Sequence, residues 1–381
     1  MVQGGATLRA AALRFGVGKS TAFRWVKRAG SLPLTQVDFS NRPCCPQKTT
    51  RIQTVLEERI VDLRRELQER SALGEYGAQA IRRSLLESGL SNPPSVRTIG
   101  RVLERRGVLD GRRRRRYPAP PTGWYLPPLS RSEAELDSFD LVEDLRIENG
   151  PLVDVLNAIS LHSRMAQAWP VLAQATAKFT VQCLVEHWRQ EGLPRYAQFD
   201  NDTRFQGAHH RQDAISRVMR LCLSLGVTPV FTPPRETGFQ ANIEAFNRRW
   251  QDVVWSRFHH LSLDDLMTAS WRFIQAHRNR HLARREAAPL RRPFPQNFEL
   301  DLQARLTGTI VYLRRTDADG NTALLGHTFQ VDSQWQGRLV RCELDLDCQS
   351  LTFFALRRCE PTVQPVLREI QHIVPNRRFR E

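Results

Sequence analysis

The sequence has no long apolar run and no two cysteines at the Cys-x-x-Cys spacing of many metal sites. No stretch approaches the roughly 18 consecutive apolar residues that a transmembrane helix needs, and residues 1–30 lack the apolar centre of a secretory signal. The seven cysteines include no Cys-x-x-Cys pair that could form half of a zinc finger. An odd cysteine count without a secretory signal is typical of a reducing cytoplasm. The sequence therefore predicts a cytoplasmic protein with no membrane partner and no zinc site.

The sequence contains fewer acidic than basic residues. Lys and Arg number 56 against 40 Asp and Glu, which gives a net charge of +16 and a pI near 10.5. A protein this basic is usually balanced by a polyanion, and nucleic acid is the default partner, although a solvated basic surface is the alternative. The 381 residues suffice for about two or three domains, and a hydrophobic share of 41% allows each a core.

Residues 1–30 predict a helix-turn-helix. Ala11, Ala12, Leu13 and Phe15 supply an apolar face before a turn at Gly16-Val17. Ser20 is the expected cap of a second helix that would enter a DNA groove. The candidate DNA-binding residues of this helix are Lys19, Ser20, Thr21 and Arg24. An ordinary helical hairpin is the alternative. Residues 16–20 do not form a phosphate-binding loop, because Leu13 stands where that motif needs glycine.

A linker over 31–50 precedes a second helical DNA-binding domain, predicted over 51–110. Apolar residues at three- to four-residue spacing predict an amphipathic helix over 51–69; they are Ile52, Val55, Leu56, Ile60, Leu63 and Leu67. Ser95 should cap a further helix, whose inward face would comprise Val96, Ile99, Val102 and Leu103. Arg97 and Arg101 lie largely outside that face and are DNA-binding candidates. A purely structural bundle is the alternative.

Residues 111–130 form an arginine- and proline-rich linker. It contains an unbroken run, Arg112, Arg113, Arg114, Arg115 and Arg116. Like charges repel and prolines prevent a helix, so the segment should be extended. A tether that contacts DNA phosphates is the functional interpretation, and a solvated linker is the alternative.

Residues 131–295 predict a catalytic α/β core. Three strand-like runs near 138–142, 152–158 and 164–171 are followed by alternating helices and strands, in the order β-β-β-α-β-α-β-α. This is the order of an RNase H-like core with a mixed five-stranded sheet. Residues 306–360 predict a small β-barrel, and 361–381 a basic tail. The fold class is thus multidomain: all-α modules, an α/β core, then an all-β domain.

Three acids in this core are candidates for catalysis and metal binding: Asp140, Asp200 and Glu244. They lie 60 and then 44 positions apart, so only the fold could bring them together. Carboxylates are hard oxygen ligands suited to Mg²⁺ or Mn²⁺, and two such ions can cut and rejoin phosphodiesters.

With these residues the chain resembles the DDE-type transposases of the retroviral-integrase superfamily. The motifs that carry the resemblance are Asp140, Phe199-Asp200-Asn201, the segment 238–249, Ser163-Arg164 and Arg278-Asn279-Arg280-His281 before Pro289. The predicted barrel resembles the β domain that follows the catalytic core of phage Mu transposase.

The resemblance implies a DNA transposase that binds the ends of a mobile element, cuts them and joins them to target DNA. It implies two Mg²⁺ (or Mn²⁺) ions per active site, double-stranded DNA as partner, and a homo-oligomeric synaptic complex. It also implies a prokaryotic, nucleoid-associated protein with an ATPase helper as a possible further partner. Arg248, beside Glu244, becomes a candidate for DNA-end binding.

The sequence departs from the family pattern at three places. Asp202 replaces the usual glycine, the gap from Asp200 to Glu244 is longer than usual, and Gln251 replaces a basic residue. Glu236 would restore the usual gap, but it lies in a turn-like segment, so Glu244 is preferred. The rival interpretations are a non-catalytic DNA-binding regulator that uses the core as a scaffold, and a metal-dependent nuclease without strand transfer.

Overall fold

The structure is a computed structural model that describes residues 2–38, 40, 52–109, 122–148, 150–172, 174–208, 211–236, 238–358, 360–375 and 377–379. The chain forms two compact units, Met1–Glu57 and Glu58–Glu381. Most of the predicted linker at 31–50 and the arginine run at 112–116 lie outside the described residues.

The first unit contains two short helices, α1 (Leu8–Arg14) and α2 (Lys19–Ala29). The chain turns between them at Gly16, whose φ of +64° favours glycine. The cap of α2 is Gly18, so the prediction that Ser20 caps this helix is wrong. Leu13 and Phe15 are also exposed, contrary to expectation, because the small apolar face is formed by the buried alanines of α1.

Three further helices precede the sheet: α3 (Thr54–Arg70), α4 (Ala78–Glu87) and α5 (Val96–Arg105). The predicted cap at Ser95 is confirmed, since its side chain accepts from the backbone N–H of Thr98 at 3.2 Å. The inward face of α5 is formed by Ile99, Val102 and Leu103, which are fully buried. Val55 and Val96 were expected on buried faces and are exposed, because each lies in the first turn of its helix.

The α/β part alternates strands and helices in the predicted order. Its elements are α6 (Pro127–Ser130), β1 (Leu136–Arg146), β2 (Leu152–Ser160), β3 (Ala166–Leu172), α7 (Ala177–Glu191), β4 (Tyr196–Phe199), α8 (Thr203–Gln206), α9 (Arg217–Ser224), β5 (Thr228–Phe231), α10 (Ala241–Trp250), α11 (Leu263–Arg280) and α12 (Leu282–Glu286). A π-helical turn, Gln251–Trp255, continues α10.

The first five strands have the order β3-β2-β1-β4-β5. β1 is antiparallel to β2, and β2 to β3, whereas β1, β4 and β5 run parallel. Hairpin strands followed by parallel strands with helical crossovers give the RNase H-like arrangement, which confirms the prediction for the core.

The remaining strands extend the same sheet. They are β6 (Thr309–Arg315), β7 (Asn321–Leu324), β8 (His327–Gln330), β9 (Leu339–Asp345), β10 (Ser350–Ala355) and β11 (Val366–Gln371). β6 pairs in parallel with β5, and the nine-stranded sheet has the order β11-β10-β9-β6-β5-β4-β1-β2-β3, with β7 and β8 as a separate ribbon.

The predictions of a five-stranded sheet and a separate C-terminal barrel are therefore wrong in extent. Phe231 of β5 stacks on Tyr312 of β6 at 5.3 Å between ring centroids, and both are fully buried, so the apolar layer continues across the junction. Alternating apolar residues predict strands, but the same pattern serves a barrel and a longer sheet equally well. The predicted basic tail at 361–381 contains the edge strand β11.

Two apolar layers cover the sheet and position the helices. One joins the core strands to β6, β9 and β10. On the other side, Ile243, Phe246 and Trp250 of α10 pack with α11 against β1, β2 and β3. Burying such side chains contributes roughly 1.5–3 kcal/mol each, which fixes α10 over the sheet. In the described part of the chain no helix is both long enough and apolar enough to cross a membrane.

Candidate active site

Asp140 on β1 and Asp200 just after β4 lie beside each other, because β1 and β4 are neighbouring strands. β1 and β4 pair in parallel, with Ser138 opposite Gln198. Continuing both strands by two residues leads to Asp140 and to Asp200, which directly follows β4. Because side chains at matching positions of parallel strands point to the same face, the two carboxylates share one face at a strand spacing of about 4.8 Å.

Glu244 reaches this face from α10. The helix is held by its buried stripe, and Glu244 follows Ile243, so it stands at the exposed edge of the packed surface. Its first turn is also fixed by Arg164, whose Nη1 donates to Oδ1 of Asn242 at 2.7 Å. Arg164 lies in the turn between β2 and β3, so the hairpin positions the helix that carries Glu244.

Asn247, one turn after Glu244, connects α10 to Asp140. Its Nδ2 donates to Oδ2 of Asp140 at 2.8 Å, and its Oδ1 accepts from Nδ2 of Asn157 at 2.9 Å. Asn157 is the residue of β2 paired with Asp140. Asn247 and Asn157 are buried, so this hydrogen-bonded chain holds the carboxylate of Asp140 in one orientation.

The acids of this face are coupled electrostatically. Burial and the negative charge of Asp200 raise the pKa of Asp140 to about 7, and Glu244 and Glu143 add to the effect. Burial and the charge of Asp202 also raise the pKa of Asp200. Like charges brought together in a poorly solvated place disfavour full ionisation. The arrangement therefore concentrates negative charge that a cation would neutralise.

Asp202, the residue that departs from the family pattern, is neutralised locally. It caps α8, and its carboxylate accepts from Nε of Arg204 at 2.7 Å and from Nη2 at 2.6 Å. Arg204 Nη2 also lies 2.7 Å from Glu143. The backbone N–H of Asp202 donates to Oδ1 of Asp200 at 3.0 Å. The extra acid is thus a helix cap paired with an arginine, and its amide orients Asp200.

Glu236, the alternative third acid, lies in a different environment. It forms ion pairs with Arg315, on β6, and with Arg358. The charge of Glu244, by contrast, helps to raise the pKa of Asp140. The structure therefore associates Glu244 with Asp140 and Glu236 with the C-terminal strands.

A buried polar network supports β1 beneath the acids. The carboxylate of Asp137, which is fully buried, accepts from Ser160 Oγ at 2.7 Å and from Trp188 Nε1 at 3.1 Å. Nε2 of His187 lies 3.4 Å from Oδ2 of Asp137. Burial alone would raise the pKa of Asp137, but Arg291 and His187 hold it well below its usual range.

The predicted DNA-binding residues occupy several surfaces. Lys19, Ser20 and Arg24 are exposed in the first half of α2, with Thr21 half-buried among them. Arg97 and Arg101 are exposed on α5, and Arg248 is exposed on α10. The neighbouring Arg249 instead donates to the Leu73 carbonyl and pairs with Glu75 at 3.1 Å. The five consecutive arginines, 112–116, fall outside the described residues.

Sequence reasoning missed Asn157, Asn247 and Arg204. Asn157 interrupts an apolar strand and Asn247 an apolar helix face, and a polar residue at a buried position is the pattern that could have singled them out. Arg204 lies two positions after Asp202, a spacing with no general meaning. Sequence reasoning also missed a cluster formed by Asp213, His327 and His372. Among the described residues, these are the only three His, Cys, Asp or Glu side chains whose potential metal-ligand atoms all lie within 4.8 Å of one another.

Several solved structures resemble this chain at low similarity. The catalytic core domain of BIV integrase has a TM-score of 0.27 and 19% identity, covering 37% of this chain and 80% of its own. The HTLV-2 integrase catalytic core domain in complex with magnesium has a TM-score of 0.27 and 13% sequence identity, and the match covers 41% of this chain and 88% of that chain.

A simian T-cell lymphotropic virus intasome in complex with the PP2A regulatory subunit B56 gamma gives a TM-score of 0.33 and 13% identity, covering 68% of this chain and 84% of that chain. All these TM-scores are below 0.5, so the likenesses establish nothing about chemistry. No protein-family model matches the sequence, and no curated protein matches it.

Proposed function

We propose that this protein is a DNA transposase of the DDE type, which cuts the ends of a mobile element and joins them to target DNA. The observation that carries the proposal is the electrostatic coupling of Asp140, on an RNase H-like sheet, to both Asp200 and Glu244. The net charge of +16 supports DNA as the substrate.

The donor set fits Mg²⁺ or Mn²⁺. All three side chains are carboxylates, which are the hard oxygen ligands these ions prefer. The shared negative charge that raises the pKa of Asp140 is the charge a divalent cation would neutralise. Asp140, Asp200 and Glu244 do not form a set with all ligand atoms within 4.8 Å among the described residues. In a site whose two ions lie about 3.5–4 Å apart, each ion takes only part of the ligand set, so the three carboxylates need not all meet at one point.

Bound divalent ions supply activation of the attacking oxygen and stabilisation of the leaving oxygen. In cleavage, a water oxygen would bond to the phosphorus and the 3′ oxygen of the element end would leave as a hydroxyl. In joining, that 3′-hydroxyl would attack a target phosphodiester, displace the target's own 3′ oxygen and lose its proton. Asn247 would keep Asp140 oriented, and the amide of Asp202 would orient Asp200.

The flanking parts would hold the DNA. Exposed side chains of α2, including Arg24, and of α5, including Arg97 and Arg101, are suited to phosphate and groove contacts. Two element ends must be held together during joining, so a homo-oligomer is part of the proposal. The natural setting would be the nucleoid of a prokaryotic cell.

The test is strand transfer of pre-cleaved element-end DNA into a plasmid, with Mg²⁺ or Mn²⁺. The end DNA would be taken from the sequence that flanks the coding region. We expect joined product from the wild type, and none from Asp140→Asn, Asp200→Asn or Glu244→Gln. Glu236→Gln is the matched control, because it makes the same chemical change in a glutamate that pairs with Arg315.

Three other outcomes would overturn part of the proposal. Loss of product in Glu236→Gln but not in Glu244→Gln would move the third ligand to Glu236. Cutting without joined product would identify a nuclease. Specific binding of the end DNA with no reaction in either metal would identify a non-catalytic DNA-binding protein.

A further inference from the structure

A second group of ligand-type side chains lies between the loop before α9 and the C-terminal strands. Asp213 is in that loop, His327 begins β8, and His372 follows β11. Oδ1 of Asp213 lies 3.1 Å from Nε2 of His327 and 3.0 Å from Nε2 of His372. Three segments that are far apart in sequence therefore bring two imidazoles and one carboxylate to a common point.

The backbone around this group is tightly fixed. The N–H of Asp213 donates to the carbonyl of Leu325 at 3.0 Å, and Asp213 has a φ of +55°. Gly326 packs so closely on this loop that a Cβ there would lie 3.0 Å from Cα of Gln212. The N–H of His372 donates to the carbonyl of Gln349 at 2.8 Å. Such constraints set the positions of Asp213 and His372 before any ligand binds.

The two rings are also held by aromatic packing. The rings of His327 and His372 pack edge to face with 5.3 Å between their centroids, and the ring of Phe329 packs against both. The side chains of Asp213 and His372 are 9% and 13% exposed, and that of His327 is 28% exposed. The group is thus partly enclosed, and surface cavities lined by Asp213 on one side and by His372 on the other give a small ion and a water molecule access to it.

The donor set matches a known kind of metal site. Two imidazole nitrogens and one carboxylate oxygen, with water in the fourth position, bind Zn²⁺ in many proteins. Ligand atoms around a tetrahedral ion with bonds of about 2.0–2.1 Å stand roughly 3.4 Å apart. The separations of 3.0 and 3.1 Å lie close to this value. All three ligand atoms lie within 4.8 Å of one another, so adjustments of the side chains alone would bring them to the distances of a tetrahedral site.

We propose that Asp213, His327 and His372 bind one Zn²⁺ ion, which fastens the C-terminal strands to the loop before α9. His327 and His372 lie 114 and 159 positions after Asp213, so local spacing rules could not find the site. It uses none of the acids Asp140, Asp200 and Glu244, and it stands whether or not the protein is a transposase.

The test measures zinc in the purified full-length protein, without a histidine tag, by mass spectrometry. Zinc-stripped protein is then titrated with Zn²⁺ against a chromophoric chelator. We expect one zinc per chain, and in His327→Ala and His372→Ala, which each remove a ligand, a loss of affinity beyond the roughly 10- to 100-fold that removing an outer-shell partner costs. His259→Ala is the matched control, since the side chain of His259 is 93% exposed and outside the cluster, and it should bind zinc like the wild type. Asp200→Asn should also keep its zinc.

Substitution with Co²⁺ gives a readout on the wild type alone, in case a variant folds poorly. Histidine and carboxylate ligands give visible bands of a four-coordinate ion without the intense near-ultraviolet band of a thiolate. A thiolate band would place the metal on cysteines and overturn the proposal. Absence of zinc binding by the wild type, or full binding by both histidine variants, would show instead that the three side chains only hydrogen-bond. Loss of zinc in Asp200→Asn would place the ion among the acids and would also overturn it.

Discussion

Arg291 places both terminal nitrogens on the carboxylate of Asp137, with Nη1 at 3.0 Å from Oδ2 and Nη2 on Oδ1. Asp137 is fully buried on β1, three positions before Asp140, whereas Arg291 follows α12. The pair thus fastens a distant segment of the chain to the strand that carries Asp140. A buried carboxylate of this kind depends on its partner, because its charge cannot be solvated.

Arg291→Met should lower the free energy of unfolding by about 3–5 kcal/mol, because it leaves the charge of Asp137 buried without its main partner. The pKa of Asp137 lies well below its usual range, so the stability this gives is fully present above the pKa of an unfolded aspartate and is lost progressively as pH falls from there towards that low value. The loss in Arg291→Met should therefore be measured near neutral pH, where the carboxyl group is ionised in the unfolded chain.

Urea unfolding measures this loss, and Arg59→Met serves as the control. Arg59 pairs with Glu66 at 2.9 Å, but both side chains are about half exposed, so removing that pair should cost about 0–1 kcal/mol. Equal losses in the two variants would show that the buried pair contributes no more than a surface pair.

Asn247→Ala should lower strand transfer by about 10- to 100-fold while leaving the fold intact, because Asp140 loses its orienting donor. Asn247→Asp should lower it further, since a second acid would face Asp140 at hydrogen-bond distance. The measurement is the rate of joined-product formation, with thermal unfolding recorded for each variant.

Asn321→Ala is the control for these variants, because the side chain of Asn321, the first residue of β7, donates to Oδ2 of Asp317 at 3.3 Å and not to one of the candidate acids. It should join DNA at the wild-type rate. Wild-type joining by Asn247→Ala would mean that Asp140 needs no help from α10.

His277 makes the protein sensitive to acid. It is buried on α11, and its Nδ1 has no hydrogen-bond partner in the described part of the chain. The ionisable groups around it are His281, Arg249, Arg164 and Glu75. Burial and the positive charges of His281, Arg249 and Arg164 lower the pKa of His277 to about 3, and the negative charge of Glu75 only partly opposes this shift. Because the folded pKa is below the unfolded one, stability is lost as pH falls from about 6.5 towards 3.

His277→Gln should remove part of this acid sensitivity. At pH 5 one such histidine costs about 2 kcal/mol relative to pH 8, from 1.36 kcal/mol per unit of pKa shift. Unfolding by urea at both pH values checks the prediction. Ser270→Ala is the control: it removes the bond from Trp250 Nε1 but no ionisable group, so it should cost the same at both pH values. An unchanged pH dependence in His277→Gln would contradict the prediction.

Arg97→Ala and Arg101→Ala should each weaken DNA binding on every sequence and reduce the slope of log affinity against log salt by about 1. Both side chains are exposed on α5, where they can reach phosphates. Glu104→Ala on the same helix removes a negative charge and should not weaken binding. Fluorescence anisotropy at several salt concentrations gives the slopes, and a similar loss in all three variants would rule out a direct phosphate contact.

The core was predictable from sequence because its strands and helices have different periods. Apolar alternation located β1, β2 and β3, and three- to four-residue spacing located α10, whose side chains pack against that hairpin. Asp140 and Asp200 stood out because each acid ends or interrupts an apolar run. Local sequence patterns of this kind predict the structure correctly where residues close in sequence determine the conformation.

The remaining features depend on pairings between distant segments. Asn157 and Asn247 are 90 positions apart, and the register of β1 with β2 alone puts the first opposite Asp140. The pairing of β5 with β6 decides whether the C-terminal strands form their own domain, and no residue pattern in either strand predicts this pairing. Asp213 and His372 meet only because the sheet is continuous from core to edge.

The parallel pairing of Val230 with Val311 and of Phe231 with Tyr312 has a further consequence. A chain cut before β6 would leave β5 as the edge of the core sheet, with buried residues such as Phe231 and Val230 exposed beside unpaired backbone groups. Bare apolar edges of this kind recruit strands from other molecules and lead to aggregation. The C-terminal strands therefore also protect the core from aggregation, and the core should be insoluble when it is produced alone.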